Sequence, residues 1–280
     1  MNAMSFSDMG LAALKQQQFD AAINMLRQAL GEDMDNLAAR FGLARALHEK
    51  GSIIEAIGEY RTVLQSDGGH EDCLHHIARA LLQNGDARSA LNHVDIVLRG
   101  KPTDPEFLTL RAQALIALER YEAALSALQS AGHHSPGSET IHRLIASCYR
   151  RNEDFENERR AVEQLLRINP SSLSASNDLG AINLREGHLI AAFEAFEQIL
   201  SQESEHPQAT LNRAIALTVM GGMDHDAIWN RVMVVCDAIE NLDEIRTAAD
   251  QLAKLPDNAR KGTPEAATLI SMAAIKEIDI

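Results

Sequence analysis

Apolar and polar residues alternate along this chain with a helical period that restarts at a fixed interval. Residues 47–57 read LHEKGSIIEAI, residues 81–91 read LLQNGDARSAL, and residues 115–125 read LIALERYEAAL. Each segment has an apolar start, a polar break, and then a small residue followed by a large aliphatic one. Because apolar residues three and four apart form one face of a helix, the pattern predicts pairs of amphipathic helices joined by short turns.

Small residues keep the same register throughout this repeat. Since two helices cross closely only where neither carries a bulky side chain, the small positions predict the contact within each helix pair. Larger residues, such as Tyr60 and Phe196, are predicted to fill the space toward the neighbouring pair. Glycines that permit a positive φ, such as Gly51 and Gly85, are predicted to end the first helix of a pair. Steps of 34 residues give the small positions Gly10, Ala44, Ala78, Ala112, Ala146, Gly180 and Ala214.

A 34-residue helix–turn–helix repeat with small, large and proline residues at these places resembles the tetratricopeptide repeat. The resemblance implies an all-α fold, a right-handed α-solenoid (superhelix) of stacked helix-turn-helix units. Residues 207–240 resemble a degenerate seventh unit, and residues 241–280 are predicted to form capping helices, because a repeat stack needs a polar terminal element. The six regular units span residues 3–206, as 3–36, 37–70, 71–104, 105–138, 139–172 and 173–206.

Two residues depart from the pattern of that family in the fifth unit. Glu158 stands where a small residue is expected, and it is predicted to pair with Arg159, Arg160 or an arginine of the next helix. A functional buried carboxylate is the alternative. Cys148 replaces an alanine at a helix-packing position, which predicts a buried, inert thiol.

The resemblance also indicates where a partner would bind. In this family the first helix of each unit lines the concave side of the superhelix, where most partners bind. The family's usual groove positions therefore give the candidate binding residues. In this sequence they are Phe41, Arg45, His48, His75, Arg79, Thr109, Gln113, Arg143, Ser147, Arg150, Arg151, Asn177 and Arg185.

Arginine is enriched among the candidates of the fifth and sixth units. Arg143, Arg150, Arg151 and Arg185 are predicted to cluster on adjoining helices. An arginine presents a planar fork of donors that suits carboxylates and phosphates, so the cluster is a candidate site for acidic groups of a partner. Alternatively, these arginines form ordinary salt bridges with carboxylates of neighbouring turns, namely Glu153, Asp154 or Asp178.

Composition narrows the range of partners. The chain carries 40 acidic and 26 basic residues, for a formal net charge of −14, so neither nucleic acid nor an anionic membrane surface is an expected partner. Its three cysteines form neither a disulfide framework nor a zinc motif. The N-terminus does not resemble a secretory signal, and no apolar run is long enough for a membrane span, so a cytoplasmic location is expected.

Candidate chemistry is sparse. No phosphate-binding glycine motif or nucleophile elbow occurs, so no cofactor and no catalytic residue is predicted. Adjacent residues on a helix point about 100° apart, so His75 and His76 are not expected to share a metal ion. The pair His133 and His134 is predicted to lie in a solvated turn. No metal site is predicted at either pair.

The sequence therefore predicts a non-catalytic scaffold that binds a peptide or protein segment with acidic groups in the groove of the repeats. A regulatory or recruiting subunit of a separate enzyme, or of a secretion or assembly machine, is the alternative. An enzyme is the third possibility, and no residue pattern favours it. The C-terminal helices could cap the stack, fill the groove or pair with a second copy of the chain, which would give a homo-oligomer.

Overall fold

A computed structural model describes residues 5–220, and these residues form α-helices connected by short turns, without β-strands. The prediction of an all-α fold of stacked helix pairs is confirmed. The second helix of the degenerate unit and the predicted capping helices lie outside the described residues. The helices are α1 (Phe6–Lys15), α2 (Phe19–Glu32), α3 (Leu37–Glu49), α4 (Ile53–Ser66), α5 (Glu71–Gln83), α6 (Ala87–Gly100), α7 (Pro105–Ala117), α8 (Tyr121–His134), α9 (Glu139–Arg151), α10 (Phe155–Ile168), α11 (Leu173–Arg185), α12 (Leu189–Gln202) and α13 (Pro207–Val219).

The described chain divides into two compact units, and the boundary lies within α9. Unit 1 extends to Leu144, and unit 2 begins at Ile145. In unit 1, each helix packs on the next one along the chain from α1 to α8, and the first helices α1, α3, α5 and α7 also contact one another in order. In unit 2, α10 to α13 pack in the same way, with α11 against α13. Within each unit, residues on successive first helices are therefore neighbours.

Local signals fix where these first helices begin. Helix α3 follows Asn36, whose side-chain oxygen accepts a hydrogen bond from the Ala39 N–H at 2.9 Å. Helix α5 follows His70, whose Nδ1 accepts from the Cys73 N–H at 3.2 Å. Such caps satisfy backbone donors that have no partner inside the helix.

The small residues lie where the two helices of a pair approach most closely. A Cβ atom added to Gly10 would lie 2.6 Å from Cγ of Leu26 on the paired helix. One added to Gly180 would lie 2.5 Å from Cε1 of Phe196. Real Cβ atoms do not approach neighbours so closely, so the register of small residues in the sequence records a steric requirement of the helix pairs.

The helix ends differ from the sequence-based expectation at one place. His133 and His134 were predicted in a turn, but they form the last turn of α8 and are exposed. The helix extends to His134 because the first residue that cannot continue it, the proline at position 136, lies two residues beyond.

The turns within the helix pairs share one backbone conformation. Gly51, Gly85 and Gly187 have φ values of 88°, 79° and 76°, as predicted from their position. Glu119 and Glu153 adopt the same left-handed conformation, with φ of 58° at each. A residue with a side chain is strained in this conformation by roughly 1 kcal/mol or more.

Replacing Glu119 with glycine is expected to raise the free energy of unfolding by roughly 0.5–1 kcal/mol, because the strain is removed at an exposed turn. Urea denaturation followed by circular dichroism measures the change. Gly85→Ala is the matched control, since it introduces the same strain at the equivalent turn and should lower the midpoint. A Glu119→Gly variant that unfolds at lower urea than wild type would contradict the prediction.

Candidate functional site

Helices α3, α4 and α5 of unit 1 bring aromatic and histidine side chains together. The ring of Phe41 lies 4.9 Å from that of His70, 5.7 Å from that of His76 and 6.1 Å from that of Tyr60, measured between centroids. The Tyr60 and His76 rings are stacked, with an interplanar angle of 11° and 6.1 Å between centroids. Phe41 was a sequence candidate for partner binding, and these contacts fix the position of its ring.

Two more candidate residues complete this arrangement. His48 lies edge-on to Tyr60 at 6.2 Å, and its Nε2 is 2.9 Å from Oε1 of Gln83 on α5. His75 lies edge-on to Phe107 of α7 at 5.7 Å. We call Phe41, His48, Tyr60, His75 and His76 the aromatic–histidine cluster.

Two arginines border the aromatic–histidine cluster. The guanidinium carbon of Arg45 lies 5.9 Å from the centroid of the Phe41 ring, at a distance that allows a cation–π interaction. Arg79 follows His75 by one helical turn on α5 and is exposed. Within residues 5–220, neither guanidinium forms an ion pair with a carboxylate, and Nε of Arg45 is buried without a hydrogen-bond partner. Both were sequence candidates, and both carry donors that a ligand could use.

Several polar atoms of the aromatic–histidine cluster are buried without a hydrogen-bond partner among residues 5–220. They are the hydroxyl of Tyr60, whose residue is 0% exposed, and the Nδ1 atoms of His48 and His76. Leaving a buried polar group without a hydrogen bond costs about 1–3 kcal/mol. A ligand that supplied partners here would therefore recover part of this cost.

The cluster is electrostatically unfavourable for protonated histidine. Burial, together with the charges of Arg45 and Arg79, lowers the pKa of His76 to about 3. Burial also lowers the pKa of His48 and of His75. At neutral pH these imidazoles are neutral, and the two arginines supply the positive charge of this surface.

The remaining candidates of unit 1 are not part of the cluster. Thr109 uses its hydroxyl within α7, donating to the carbonyl of Pro105 at 2.7 Å. Gln113 lies half-buried on the same helix, and Arg143 is exposed on α9. None of these three contacts the aromatic–histidine cluster through a ring or hydrogen bond recorded in the described part of the chain.

Unit 2 contains a different arrangement, centred on a carboxylate that is 0% exposed. Glu158 of α10 accepts hydrogen bonds from Nε of Arg150 at 2.6 Å and from Nη2 of Arg185 at 2.5 Å. Nη2 of Arg150 also binds Oδ1 of Asp178 on α11 at 2.7 Å. We call these four residues the glutamate–arginine network. Its two positive and two negative charges balance within unit 2.

For Arg150 and Arg185, the glutamate–arginine network favours internal salt bridges over the alternative interpretation, a site for acidic groups of a partner. The predicted salt bridge of Arg150 with Asp178 is confirmed, as is the pairing of Glu158 with an arginine of the next first helix, Arg185. Burial alone would lower the pKa of Arg150, but the charges of Asp178 and Glu158 outweigh burial and raise it. The guanidinium groups of both arginines are therefore engaged inside the protein.

Of the alternatives predicted for Glu158, the arginine of the next helix is its partner, and the two arginines that follow it on α10 pair elsewhere. Arg159 binds Glu186 at 2.7 Å, and Arg160 binds Glu156 at the preceding turn of α10. Arg159 reaches the C-terminal end of α11, where it also binds Asn183, and Arg160 pairs along the exposed surface of α10, whereas the buried Glu158 lies between Arg150 and Arg185. The direction of a side chain around the helix therefore determined the partner, rather than closeness in sequence.

The other unit 2 candidates have varied surroundings. Asn177 is buried, and its Oδ1 accepts a hydrogen bond from Nδ2 of Asn212 on α13 at 3.2 Å. Ser147 is half-buried and Arg151 is exposed, both on α9. The cysteine prediction is confirmed, because Cys148 is buried and its burial raises the pKa of the thiol to about 12.

Two residues of the cluster were not identified as binding candidates from the sequence. Tyr60 was predicted as a packing residue, and His76 was considered only as a metal ligand. The repeat pattern gave no clear signal for either, because the Tyr60 position is aromatic again at Phe196 and the His76 position is polar again at Asp178 and Asn212. Among residues 5–220, no three histidine, cysteine, aspartate or glutamate side chains are grouped to hold a metal ion. None of the described helices has the length and apolar character needed to cross a bilayer.

Comparisons with known proteins agree on the fold. The family described as Tetratricopeptide repeat matches residues 7–71 and 112–172, and that described as Anaphase-promoting complex, cyclosome, subunit 3 matches residues 49–131. No curated protein sequence matches the chain.

Similar solved structures include a tetratricopeptide repeat protein from Parabacteroides merdae, with 15% identity and a TM-score of 0.71 over 90% of this chain and 100% of the other. The pilF protein of Pseudomonas aeruginosa has 14% identity and a TM-score of 0.63, covering 75% of this chain and 96% of its own. MamA from Desulfovibrio magneticus has 20% identity and a TM-score of 0.56, covering 61% and 97%. At these identities the likeness concerns the fold alone.

Proposed function

Because the chain belongs to the tetratricopeptide repeat family, we propose that it is a non-catalytic scaffold that binds an acidic peptide or protein segment. The fold serves protein interaction in general. The acidic segment is proposed to lie across α3 and α5 of unit 1, beside the aromatic–histidine cluster. The observation that carries this assignment is that Arg45 and Arg79 border the cluster without any carboxylate partner among the described residues.

The chemistry of this surface suits a carboxylate-bearing segment. The two guanidinium groups offer charge-assisted donors, which bind carboxylates more strongly than neutral donors do. Phe41 and His75 are only half-buried, so their rings offer apolar area to the residues that flank a carboxylate. In a chain with a net charge of −14, a local pair of uncompensated arginines would also orient an acidic partner before contact.

The arginines of unit 2 are weaker candidates for the same task. A ligand carboxylate at Arg150 or Arg185 would have to replace Glu158, which is already held by both. Breaking these bonds would leave a buried charge without a partner, at a cost of several kcal/mol. Arg143 and Arg151 are exposed, and they remain available as secondary contacts.

Selection from a random peptide display library tests the proposal. We expect wild-type protein to select peptides enriched in aspartate and glutamate, and Arg45→Glu/Arg79→Glu to lose this enrichment. For single selected peptides, we expect Kd to rise at least about tenfold in the variant, which corresponds to about 1.4 kcal/mol. Isothermal titration calorimetry measures Kd, and circular dichroism checks that the variant is folded.

The matched control is Arg88→Glu/Arg99→Glu on α6, where two exposed arginines undergo the same charge change. This variant should keep the selected peptides within about twofold of the wild-type Kd, since exposed charges outside the site contribute little. Equal losses in both variants would show that net charge alone matters. Selection without acidic enrichment would contradict the acidic partner.

A further inference from the structure

Among residues 5–220, the recorded ring contacts of His76 are with uncharged rings: those of Phe41, Tyr60 and His75 lie 5.7, 6.1 and 5.5 Å away between centroids. The charges of Arg45 and His48 on α3, and of His75 and Arg79 on α5, add to burial in lowering the pKa of His76. Tyr60 of α4 is stacked on its ring. Each of these groups is cationic or neutral, so within the described part of the chain none of them provides a counter-charge for a proton on His76.

Carboxylates do occur around the cluster, but they act on other members. Asp72 on α5, together with Asp104 and Glu106 at the start of α7, acts on His75. Glu49 at the end of α3 acts on His48 and Tyr60. Among the described residues, the position between Arg45, Arg79 and His76 is therefore the part of the cluster without an ion-paired carboxylate.

An anion placed there would change the protonation of the ring. A carboxylate beside an imidazole favours the protonated form and raises its pKa, typically by about 1–3 units. It would also neutralise the two arginine charges that hold the pKa of His76 at about 3. Both effects raise the pKa of His76.

Resting on the proposed function, we propose that a peptide carboxylate binds between Arg45 and Arg79 against His76, and that His76 takes up one proton from solvent as it binds. The protonated ring carries an N–H on both nitrogens and donates a charge-assisted hydrogen bond to the carboxylate, whereas the neutral ring has one N–H and no charge. Binding of the acidic segment is in this way coupled to pH.

The direction of the pH dependence follows from linkage. The pKa of His76 is higher in the complex than in the free protein, so the complex holds more protons at any pH between these two values. Affinity therefore rises as pH falls through the pKa of the complex, by at most about tenfold per pH unit for one proton. Above that pKa the histidine contributes no pH dependence.

A fluorescein-labelled oligo-aspartate peptide serves as the probe, since aspartate has a pKa of about 3.9 and stays ionised above roughly pH 5.5. Fluorescence anisotropy at constant ionic strength gives Kd between about pH 7.5 and about pH 5.5. For a pKa of about 6 in the complex, the upper end of a rise of about 1–3 units, we expect Kd of the wild type to fall about fourfold over this range. An oligo-glutamine peptide of the same length should not bind.

His76→Gln tests the residue, because glutamine stays neutral over this range. The Kd of this variant should show no pH dependence over this range, whatever its value at about pH 7.5. His133→Gln, the same substitution at an exposed histidine of α8, should keep the wild-type dependence. Nuclear magnetic resonance of ¹⁵N-labelled histidine should show that the peptide raises the pKa of His76 in wild type.

The outcomes separate the two proposals. No binding of oligo-aspartate at any pH, or equal binding to Arg45→Gln/Arg79→Gln, would overturn the acidic-segment function itself. Binding that requires both arginines but leaves His76 neutral and Kd independent of pH would overturn only the proton uptake. Should His76→Gln fail to fold, the histidine resonances of wild type decide by themselves.

Discussion

Glu158→Gln is expected to lower the free energy of unfolding by about 3–5 kcal/mol. Glutamine keeps the shape of the side chain but removes the negative charge, so Arg150 and Arg185 lose the buried anion that both bind. Removing one partner from a buried ion pair is costly because the remaining charge is still desolvated. Urea denaturation measures the loss, and hydrogen exchange should locate it in α10 and α11.

Glu163→Gln on the same helix is the matched control. Glu163 is exposed and lies 3.7 Å from Arg159 in an i,i+4 pair, so this change should cost no more than about 0.5 kcal/mol. A triple variant with alanine at position 158, and with Arg150 and Arg185 replaced by leucine, should recover much of the stability, since apolar packing can substitute for a buried ion network. Equal effects of Glu158→Gln and Glu163→Gln would show that the network does not stabilise unit 2.

Phe196→Ala is expected to lower the free energy of unfolding by about 3–5 kcal/mol. The phenylalanine is 0% exposed, and its ring covers the backbone of Gly180 on the paired helix. Truncation removes the buried ring and leaves a cavity between α11 and α12. The measurement is urea denaturation, and hydrogen exchange of α11 and α12 locates the change within unit 2.

A double-mutant cycle gives this prediction a specific signature. Gly180→Ala alone should cost about 1–3 kcal/mol, because the new methyl group would collide with the ring. In the Phe196→Ala background the methyl group has room, so the double variant should be more stable than the sum of the single changes implies. Additive costs would show that the two residues are not coupled.

Ile190→Ala on α12 is the control for that cycle. The side chain is 66% exposed, so its removal should change stability by no more than about 0.5 kcal/mol. A large loss of stability at Ile190 would mean that any truncation on α12 is destabilising. The effect of Phe196→Ala could then not be assigned to its buried ring.

Most of the fold follows from the sequence because its determinants are periodic and local. The register that includes Ala44 and Gly180 marks close helix crossings, and the glycines at 51 and 85 mark left-handed turns. Six or seven copies of one pattern make each signal independent of any single residue. Where a copy departs from the pattern, as at Glu119, the backbone still follows its neighbours, since the packing of the helix pair fixes the turn.

The candidate site was predictable only in part. The resemblance to a known repeat family indicated Arg45, His75 and Arg79 as candidates, but it ranked the arginines of the fifth and sixth units above them. Whether an arginine is available to a partner depends on which carboxylate lies opposite its guanidinium group. Glu158 meets Arg150 and Arg185 from another helix, and no spacing along the chain reveals such a contact.

By itself, the sequence determined the helix pairs, their 34-residue period and the small residues at their crossings, because these depend on contacts that every repeat makes in the same way. Only the tertiary structure decided that Arg150 and Arg185 are bound internally, and that the half-buried His76 stacks on Tyr60 near Arg45, which has no carboxylate partner among the described residues. These arrangements depend on side chains from three different helices. Their charges and hydrogen bonds act across space over a few ångströms, and a repeat pattern constrains the backbone but not these individual side chains.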